Sequence, residues 1–368
     1  MFLFPRSVCS IALVGAAALT LSGCGGGSPT PAAPAPPGAI AAHYTIIPLG
    51  ILPGFSNSSG AAVNSQGQVA GLCYQAGLNV DSTAFQNFRA FLYAGGGMHD
   101  LGVPTGYTSS TGDGIDDAGD VVLNTQGSMT VSGVSVLSRH PFLSHGGALT
   151  SIVTPDATQS GAVISGNGQI AGAAQTASGY HTFLNVGGTP KDLGVPPGYT
   201  DCIAVAINGS GDVVGTANMG TDPTTSHAAL YHAGIWTDLG TLGTGYSQAE
   251  GLNDSGQVTG SSGTAAARHA FLYSQGKMQD LTPLPGYVLS QGNAVNNQGI
   301  VVGASFGAGT PAHAFIYAQG RTQDLNALLP ASSGWVLQSA NGINSAGQIV
   351  GDGVYQGQGQ AFLLSPTS

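Results

Sequence analysis

The chain has 368 residues, and only 7% of them are charged, whereas soluble domains usually carry about a quarter. Its 7 Lys and Arg against 17 Asp and Glu give a net charge of −10, which argues against nucleic-acid binding because a phosphate backbone requires a basic face. Glu250 is the single glutamate, which disfavours a glycosidase, since that chemistry needs two well-placed carboxylates.

Residues 1–23 are predicted to be a lipoprotein signal peptide. Arg6 supplies a positive start, and residues 11–21 form an apolar stretch too short to span a bilayer. The stretch ends in Leu21-Ser22-Gly23-Cys24, which resembles the lipobox of bacterial lipoproteins, whose cysteine takes a diacylglycerol. This resemblance, together with Gly25, implies a lipidated Cys24 and sorting to the outer membrane. The alternative is an ordinary secretory signal with a chance cysteine.

Residues 24–42 are predicted to be a flexible linker. From Gly25 to Gly38 the sequence consists almost entirely of Gly, Pro and Ala, which cannot build a core. No later segment is long and apolar enough to cross a bilayer, so the expected membrane contact is the lipid anchor alone.

A short phrase recurs seven times along the remaining chain. It consists of a branched aliphatic residue, Asn or a substitute, two residues, Gly, one residue, and Val or Ile; its glycines are Gly67, Gly119, Gly168, Gly211, Gly256, Gly299 and Gly347. Successive copies are 52, 49, 43, 45, 43 and 48 residues apart. Such a period of strand and turn residues is typical of β-propellers, with one copy per four-stranded blade. We therefore predict an all-β, seven-bladed β-propeller over residues 43–368.

The fifth copy shows the four strands of a blade most clearly. Asn253-Asp254-Ser255-Gly256 is a predicted turn, in which Asn bonds to its own backbone and Gly takes the left-handed conformation. The predicted strands are 248–253, 257–260, 269–273 and 277–281.

The two ends of the repeat array complement each other. The seventh copy stops at Ser368, where its fourth strand would follow, whereas Tyr44–Gly50 is a surplus strand before the first copy. We predict that Tyr44–Gly50 completes the seventh blade and closes the ring. Pro48 is acceptable there because the fourth strand is the outer edge of a blade.

The phrases HAFLY (269–273), DLG (238–240) and the Asn-x-x-Gly turn resemble the HAF-family extracellular repeat of exported bacterial proteins. The resemblance covers Tyr44 to Leu364 and implies export and the repeat fold, but it transfers no catalytic residue. The second and third copies depart from the pattern at Asp116, Leu123, Ser151 and Ser165.

Four histidines each precede an aspartate by 11 residues: His181 and Asp192, His227 and Asp238, His269 and Asp280, and His313 and Asp324. Across a hairpin, each pair falls on one face and can form a hydrogen bond. A catalytic triad would need one such pair beside one nucleophile. Four equivalent copies therefore favour a structural pairing, and a metal or catalytic role is the alternative.

Gly303-Ala304-Ser305-Phe306-Gly307 matches the G-x-S-x-G pattern. That motif functions on a sharp strand-to-helix turn, whereas here it follows a predicted second strand with no helical pattern after it. We therefore interpret it as a chance match.

The second copy contains an acidic cluster, Asp113, Asp116, Asp117 and Asp120. Carboxylates in a glycine-rich turn can hold Ca²⁺, although this spacing fits no complete calcium loop. The cluster is either a calcium site, the one cofactor that the sequence suggests, or a solvated turn.

Six aromatic residues follow glycine near the expected start of each first strand, about nine residues before the turn Asn: Phe55, Tyr107, Tyr199, Tyr246, Tyr287 and Trp335. They either pack between blades or form a platform for a glycan or a partner peptide.

Taken together, these features predict a monomeric, non-catalytic envelope lipoprotein whose propeller binds a protein partner or a cell-surface glycan. The alternative is a polysaccharide hydrolase or lyase. We expect the variable segments Leu78–Asn87 and Gly127–Ser138 to lie on one rim and to face the ligand.

Overall fold

The computed structural model describes residues 41, 43–75, 87–131, 134–154, 160–220, 225–243, 245–264 and 266–367. The predicted signal peptide and, except for Ala41, the predicted linker lie outside this part of the chain, so both stay predictions. The described strands form seven four-stranded antiparallel sheets, which confirms the seven-bladed β-propeller.

The N-terminal strand β1 spans Tyr44–Gly50, and six blades follow in chain order. Blade 1 contains β2 (Asn57–Val63), β3 (Val69–Tyr74), β4 (Arg89–Ala94) and β5 (Gly97–Gly102), and blade 2 contains β6 (Ser109–Ile115), β7 (Val121–Val131), β8 (Val134–His145) and β9 (Ala148–Ser151). Blade 3 contains β10 (Ser160–Ile164), β11 (Ile170–Thr176), β12 (Gly179–Val186) and β13 (Thr189–Gly194), and blade 4 contains β14 (Asp201–Ile207), β15 (Val213–Asn218), β16 (His227–His232) and β17 (Ile235–Asp238). Blade 5 contains β18 (Tyr246–Leu252), β19 (Val258–Thr264), β20 (Ala267–Ser274) and β21 (Lys277–Asp280), and blade 6 contains β22 (Leu289–Val295), β23 (Val301–Gly307), β24 (Thr310–Ala318) and β25 (Arg321–Asp324). A 3₁₀ helix (Leu325–Leu328) leads to blade 7, which contains β26 (Trp335–Ile343), β27 (Ile349–Tyr355) and β28 (Gln358–Pro366).

The antiparallel order divides the ring into two faces. The turns between first and second strands, which contain the seven repeat glycines, lie at the same end as the turns between third and fourth strands. We call this end the turn rim. The opposite end, which we call the loop rim, holds the second-to-third strand connections, such as 177–178, and the links between blades, such as 103–108.

The seventh blade is completed by the N-terminal strand, as predicted. Strand β1 pairs with β28 from Tyr44 opposite Pro366 to Gly50 opposite Ala361, and it forms the outer edge of the sheet. The amide of Thr367 donates to the carbonyl of His43 at 3.0 Å. Both ends of the described propeller therefore lie at the turn rim.

The core depends on a glycine in the second strand. A Cβ atom at Gly303 would lie 1.9 Å from the Gln291 carbonyl oxygen and 2.9 Å from the ring of Phe315, so glycine is what lets this ring lie fully buried in the blade. In blade 2 Leu123 occupies the equivalent position, and its third-strand partner Phe142 is only half-buried. The departure seen in the sequence thus changes the packing of that blade.

The repeat Asn has two roles, and sequence reasoning found one of them. The side-chain oxygen of Asn64 accepts hydrogen bonds from the amides of Gln66 (3.1 Å) and Gln68 (2.9 Å), as expected for the turn. Its Nδ2 also donates to the backbone carbonyl of Asp116 in blade 2 at 2.9 Å. Equivalent bonds between blades join Asn208 to Asn253 (3.2 Å), Asn253 to Asn296 (2.9 Å), Asn296 to Asn344 (3.2 Å) and Asn344 to Asn64 (2.8 Å).

At the repeat position this ring of side-chain bonds is interrupted in blades 2 and 3, where the amide of Asp117 donates to the carbonyl of Gly166 at 2.8 Å instead. The carboxylate of Asp116 accepts from the amides of Ala118 and Asp120 but, when ionised, has no proton to donate onward. Burial raises the pKa of this carboxyl group, with the charge of Asp120 adding to the effect. In blade 3 the Ser165 hydroxyl donates to Asn167 within its own turn, and the Nδ2 of Asn167 makes the bond to blade 4 instead, at the carbonyl of Gly209 (2.9 Å).

Reciprocal substitutions test the ring. Asp116→Asn supplies the missing donor toward blade 3, and we expect it to raise the free energy of unfolding at pH 7 by about 1 kcal/mol, the net value of one hydrogen bond. Asn64→Asp removes the donor that bonds to the Asp116 carbonyl, and we expect it to lower the stability by about 1–3 kcal/mol because a buried acceptor loses its partner. Urea denaturation measures both variants; changes of the same sign would contradict the assignment.

Candidate functional site

A repeated turn builds the loop rim. In four blades the amide of the predicted aromatic donates to the carbonyl three residues earlier: Phe55 to Leu52 (3.2 Å), Tyr107 to Pro104 (3.1 Å), Tyr199 to Pro196 (3.1 Å) and Tyr287 to Leu284 (3.0 Å). The glycine before each aromatic has φ between 87° and 91°, as the third position of a type II turn requires. These four aromatics therefore occupy equivalent places before their first strands, as predicted.

Three of these aromatics cover the third strand of their own blade. The ring of Tyr107 lies 5.6 Å from that of Phe142. Tyr199 and Tyr287 lie 5.9 Å and 5.5 Å from the imidazoles of His227 and His313. All three tyrosines are half-buried, as is Phe55, which packs against a core cluster. Each ring thus offers part of its surface to a ligand.

The two remaining aromatics differ. Tyr246 is the first residue of β18, seven residues before its turn Asn rather than nine, and its hydroxyl accepts from Arg268 at 3.4 Å. Trp335 is buried, stacked on Tyr355 at 4.9 Å and edge-on to Phe362 at 5.9 Å. Trp335 therefore belongs to the core of blade 7, and the structure does not bring the six aromatics together as one platform.

The four His–Asp pairs form the hydrogen bonds that their spacing predicts. The Nδ1–carboxylate distances are 3.0 Å in blade 3, 2.9 Å in blades 4 and 5, and 2.8 Å in blade 6. Each carboxylate also accepts from the amide two residues later, as Asp192 does from Gly194 at 2.7 Å. The pairs tie the third strand to the exit of the fourth strand, and they lie in four separate blades.

Blade 4 extends its pair with a tyrosine. The hydroxyl of Tyr199 donates to Asp238 at 2.6 Å, beside the bond from His227. Burial acts to raise the pKa of Asp238, but the hydrogen bonds from Tyr199, Gly240 and His227 outweigh it, so the pKa is lowered. Burial and the Asp238 carboxylate raise the pKa of Tyr199, so its hydroxyl stays protonated at neutral pH. Tyr199, His227 and Asp238 together therefore stabilise the loop rim. The protonated Tyr199 hydroxyl acts as a hydrogen-bond donor and not as a nucleophile.

Blade 2 replaces the His–Asp pair with His140 and Ser151, joined at 2.7 Å. The sequence showed Ser151 as a departure, but its contact with His140 was not anticipated. Burial lowers the pKa of His140, so its imidazole is neutral at pH 7. A neutral imidazole needs no carboxylate, which explains why serine suffices at this position.

The acidic cluster of blade 2 does not converge on one point. Asp113 accepts from Thr111 and Asn124, whereas the carboxylate of Asp116 bonds within its own turn. The side chain of Asp117 accepts from the amide of Ser65 in blade 1, and that of Asp120 from His145. Within the described ranges no group of three or more His, Cys, Asp or Glu could hold a metal ion. The geometry therefore gives no support to the predicted calcium site.

The serine of the G-x-S-x-G match is inside strand β23. Ser305 is fully buried, and its hydroxyl accepts from the amide of Leu284 at 3.2 Å. A nucleophile elbow would expose this serine at a strand-to-helix turn. The structure therefore agrees with a chance match.

The turn rim contains a shallow polar cavity of about 230 Å³ at the mouth of the central channel, lined by turns of all seven blades. Two aspartates lie there, and both are already bonded: Asp117 to Ser65, and Asp254 to the amide of Gly209 (2.9 Å) and to Asn297 (2.6 Å). Hydrogen bonds between blades thus already involve both aspartates at this end of the channel.

The two predicted variable segments connect second to third strands, which places both attachments at the loop rim. All of Leu78–Asn87 except Asn87 lies outside the described residues. Gly127–Ser138 belongs mainly to β7 and β8, so a paired hairpin stands where we expected a loop. In the part of the chain that the structure describes, no helix is long and apolar enough to cross a membrane.

Comparison with known proteins identifies the fold. No family model and no curated protein matches this chain, so the resemblance to the HAF repeat stays a prediction. Among solved structures, the β-propeller domain of the Trilobed protease from Pyrococcus furiosus is 7% identical, with a TM-score of 0.55 over 85% of this chain and 96% of that one. The acylaminoacyl peptidase of Pyrococcus horikoshii is 8% identical, with a TM-score of 0.51 over 83% of this chain and 52% of that one. YCF48, whose structure was solved bound to D1 peptide, is 10% identical, with a TM-score of 0.50 over 91% of this chain and 98% of that one.

At such low identities the likeness establishes the fold alone. The chain is a β-propeller, a class that serves enzymes and binding proteins alike. Its function has to be argued from its own surfaces.

Proposed function

We propose that this protein is a non-catalytic lipoprotein of the bacterial outer membrane whose propeller binds a protein partner at the loop rim. The observation that carries the proposal is the difference between the two rims. Exposed apolar side chains occur at both rims: Met219, Val288 and Val336 at the loop rim are 48%, 57% and 41% exposed, and Val186 and Ile235 at the turn rim are 57% and 67% exposed. The loop rim is favoured because the asparagines around the channel mouth of the turn rim are already bonded to neighbouring blades. Exposed apolar groups among polar neighbours are typical of protein interfaces.

The position of the chain ends supports the same rim. Strand β1 starts at the turn rim, so a tether from Cys24 joins the propeller on that side. The loop rim then faces away from the anchoring membrane and is accessible to another envelope protein.

A protein ligand is better supported than a glycan or a polysaccharide substrate. A hydrolase or lyase would need converging carboxylates or histidines, whereas the described His–Asp pairs lie in separate blades. A glycan platform would need exposed aromatic faces, whereas Trp335 is buried and the five other predicted aromatics are half-buried. YCF48, which shares the fold, binds a peptide.

Site-specific photo-cross-linking in cells tests the proposal with the full-length protein. A photoreactive amino acid replaces Met219, Val288 or Val336 at the loop rim, and Val186 or Ile235 at the turn rim serves as the exposed control. We expect one abundant protein adduct from the loop-rim positions and none from the controls. Adducts of equal yield from both rims, or no protein adduct at all, would refute the proposal.

A further inference from the structure

Blade 2 carries a hairpin that is longer than its counterparts. Strands β7 and β8 have 11 and 12 residues, whereas the second and third strands of the other blades have 6 to 9. The two strands pair continuously, from Val121 opposite Ser144 to Val131 opposite Val134, with no bulge. We call residues 127–131 and 134–138 the arm.

The arm extends beyond the strands that flank it in blade 2. Strand β6 pairs with β7 only as far as Gln126, and β9 pairs with β8 only from Phe142 onward. Among the described strands none pairs with the arm on either side, so in this part of the chain no strand covers the backbone N–H and C=O groups along its outer edges.

The usual protection of an exposed edge is missing here. Natural proteins protect edge strands with charged residues, prolines or bulges, or keep them short. From Val121 to Ser138 the sequence contains no charged residue and no proline, and the pairing contains no bulge. An edge without these protections is a template for pairing with another extended chain.

The β7 edge and the β8 edge of the arm differ in what lies beside them at the base of the arm. A Cβ atom at Gly127 would lie 2.8 Å from the Gly106 carbonyl oxygen and 2.9 Å from the Tyr107 Cα, so the turn before β6 closes the base of the β7 edge. On the other side β9 ends at Ser151, opposite Phe142, and the amide of Ile152 still donates to the carbonyl of Pro141 at 3.1 Å. No described strand pairs with the outer edge of β8 from Val134 to Ser138. A partner strand along residues 134–138 would continue the place of β9 in the sheet.

We propose that the β8 edge of the arm, residues 134–138, binds an extended segment of the partner protein by strand addition. The inference rests on the proposed function and names the part of the loop rim that the partner occupies. A row of alternating N–H and C=O groups is matched by another extended backbone and not by a sugar or a lipid. The segment must be free of proline at the alternate positions whose N–H groups donate into the ladder, because proline has no N–H to donate.

The test uses the full-length protein in detergent and phage-displayed random dodecapeptides as the probe. In the arm-shortened variant Asn-Gly replaces residues 128–137, so that Gly127 and Ser138 are joined by a two-residue hairpin turn. The matched control places the same Asn-Gly turn in the corresponding hairpin of blade 3, as Ala177→Asn with Ser178→Gly. Thermal melting establishes that both variants retain the cooperative fold.

We expect selected peptides to slow amide hydrogen exchange within residues 134–138 and to bind the arm-shortened variant at least tenfold more weakly than the control. Peptides that bind both variants equally, or a failure to select any peptide, would overturn the proposal. Concentration-dependent dimerisation that disappears in the arm-shortened variant would instead make a second copy the occupant, and would also overturn it.

The cross-linking experiment separates this proposal from the proposed function. If the loop-rim adduct persists undiminished in the arm-shortened variant, strand addition is wrong while the binding role stands. If wild type gives no protein adduct, the binding role itself fails.

Discussion

Deletion of Tyr44–Gly50 is expected to abolish cooperative unfolding of the whole propeller. This strand is the fourth strand of blade 7, and it joins the N-terminal end of the chain to the C-terminal end. Tyr44 and Leu49 are 3% and 4% exposed, and each belongs to a different core cluster. Burial of two such side chains contributes about 1.5–3 kcal/mol each. The deletion also uncovers the hydrophobic strand β28, and an uncovered edge of this kind promotes aggregation.

Thermal and urea unfolding measure this effect, and the natural control is a deletion of residues 25–38 in the predicted linker. We expect the linker deletion to leave the melting transition unchanged, because β1 and its pairing with β28 remain. Identical melting curves for the two deletions would mean that closure by β1 does not hold the ring together.

The second large effect is expected at Asp352, a buried carboxyl group at the interface of blades 7 and 1. Its Oδ1 accepts from the Ser59 hydroxyl at 2.8 Å and from Asn341 Nδ2 at 3.1 Å. Burial raises the pKa of Asp352 to about 6, and these two hydrogen bonds offset only part of that effect. Asp352→Asn keeps an oxygen for both donors and removes the buried charge.

The sign of the pH dependence follows from proton binding. Between pH 3.8 and about 6 the folded state holds a proton on Asp352 that the unfolded state releases. The stability that this carboxyl group contributes is therefore fully present below pH 3.8 and is lost as the pH rises through about 6. The difference of about 2 pKa units corresponds to about 3 kcal/mol. We expect Asp352→Asn to be more stable than wild type by about that amount at pH 8, and the difference to shrink toward pH 4.

Urea unfolding of both proteins between pH 4 and pH 8 measures the difference. Asp352→Ala is the control, because it removes the acceptor of Ser59 and Asn341 and is expected to lower stability at both ends of the range. A gap between wild type and Asp352→Asn that stays constant with pH would show that Asp352 does not titrate in this range.

Local pattern predicted much of this molecule. The phrase around Asn253 predicted a turn between two strands, and the alternation in 269–273 predicted a third strand; both are present in blade 5. The 11-residue spacing between His269 and Asp280 predicted their hydrogen bond, which measures 2.9 Å. These features depend on residues close together in one hairpin, whose geometry the chain itself determines.

Predictions that depended on equivalence between blades were less successful. Tyr246 was aligned with the other aromatics, yet it lies two residues closer to its turn, because blade 5 enters its first strand differently. For Trp335 the sequence left two alternatives open, packing or a ligand platform, and its burial against Tyr355 and Phe362 agrees with packing. Small shifts at a blade entry do not alter the repeat period, so the period could not reveal them.

The sequence by itself determined the number of blades, the order of strands within them and the closure by Tyr44–Gly50, because each of these follows from repeat spacing and strand count. Only the tertiary structure decided what neighbouring blades do to each other. The second role of Asn64, toward Asp116, joins residues 52 positions apart, and the bond from Asn341 to the carbonyl of Gly60 spans 281. The first contact exists only once two neighbouring blades have packed, and the second only once the ring has closed, because no local rule of turn or strand brings these groups within reach.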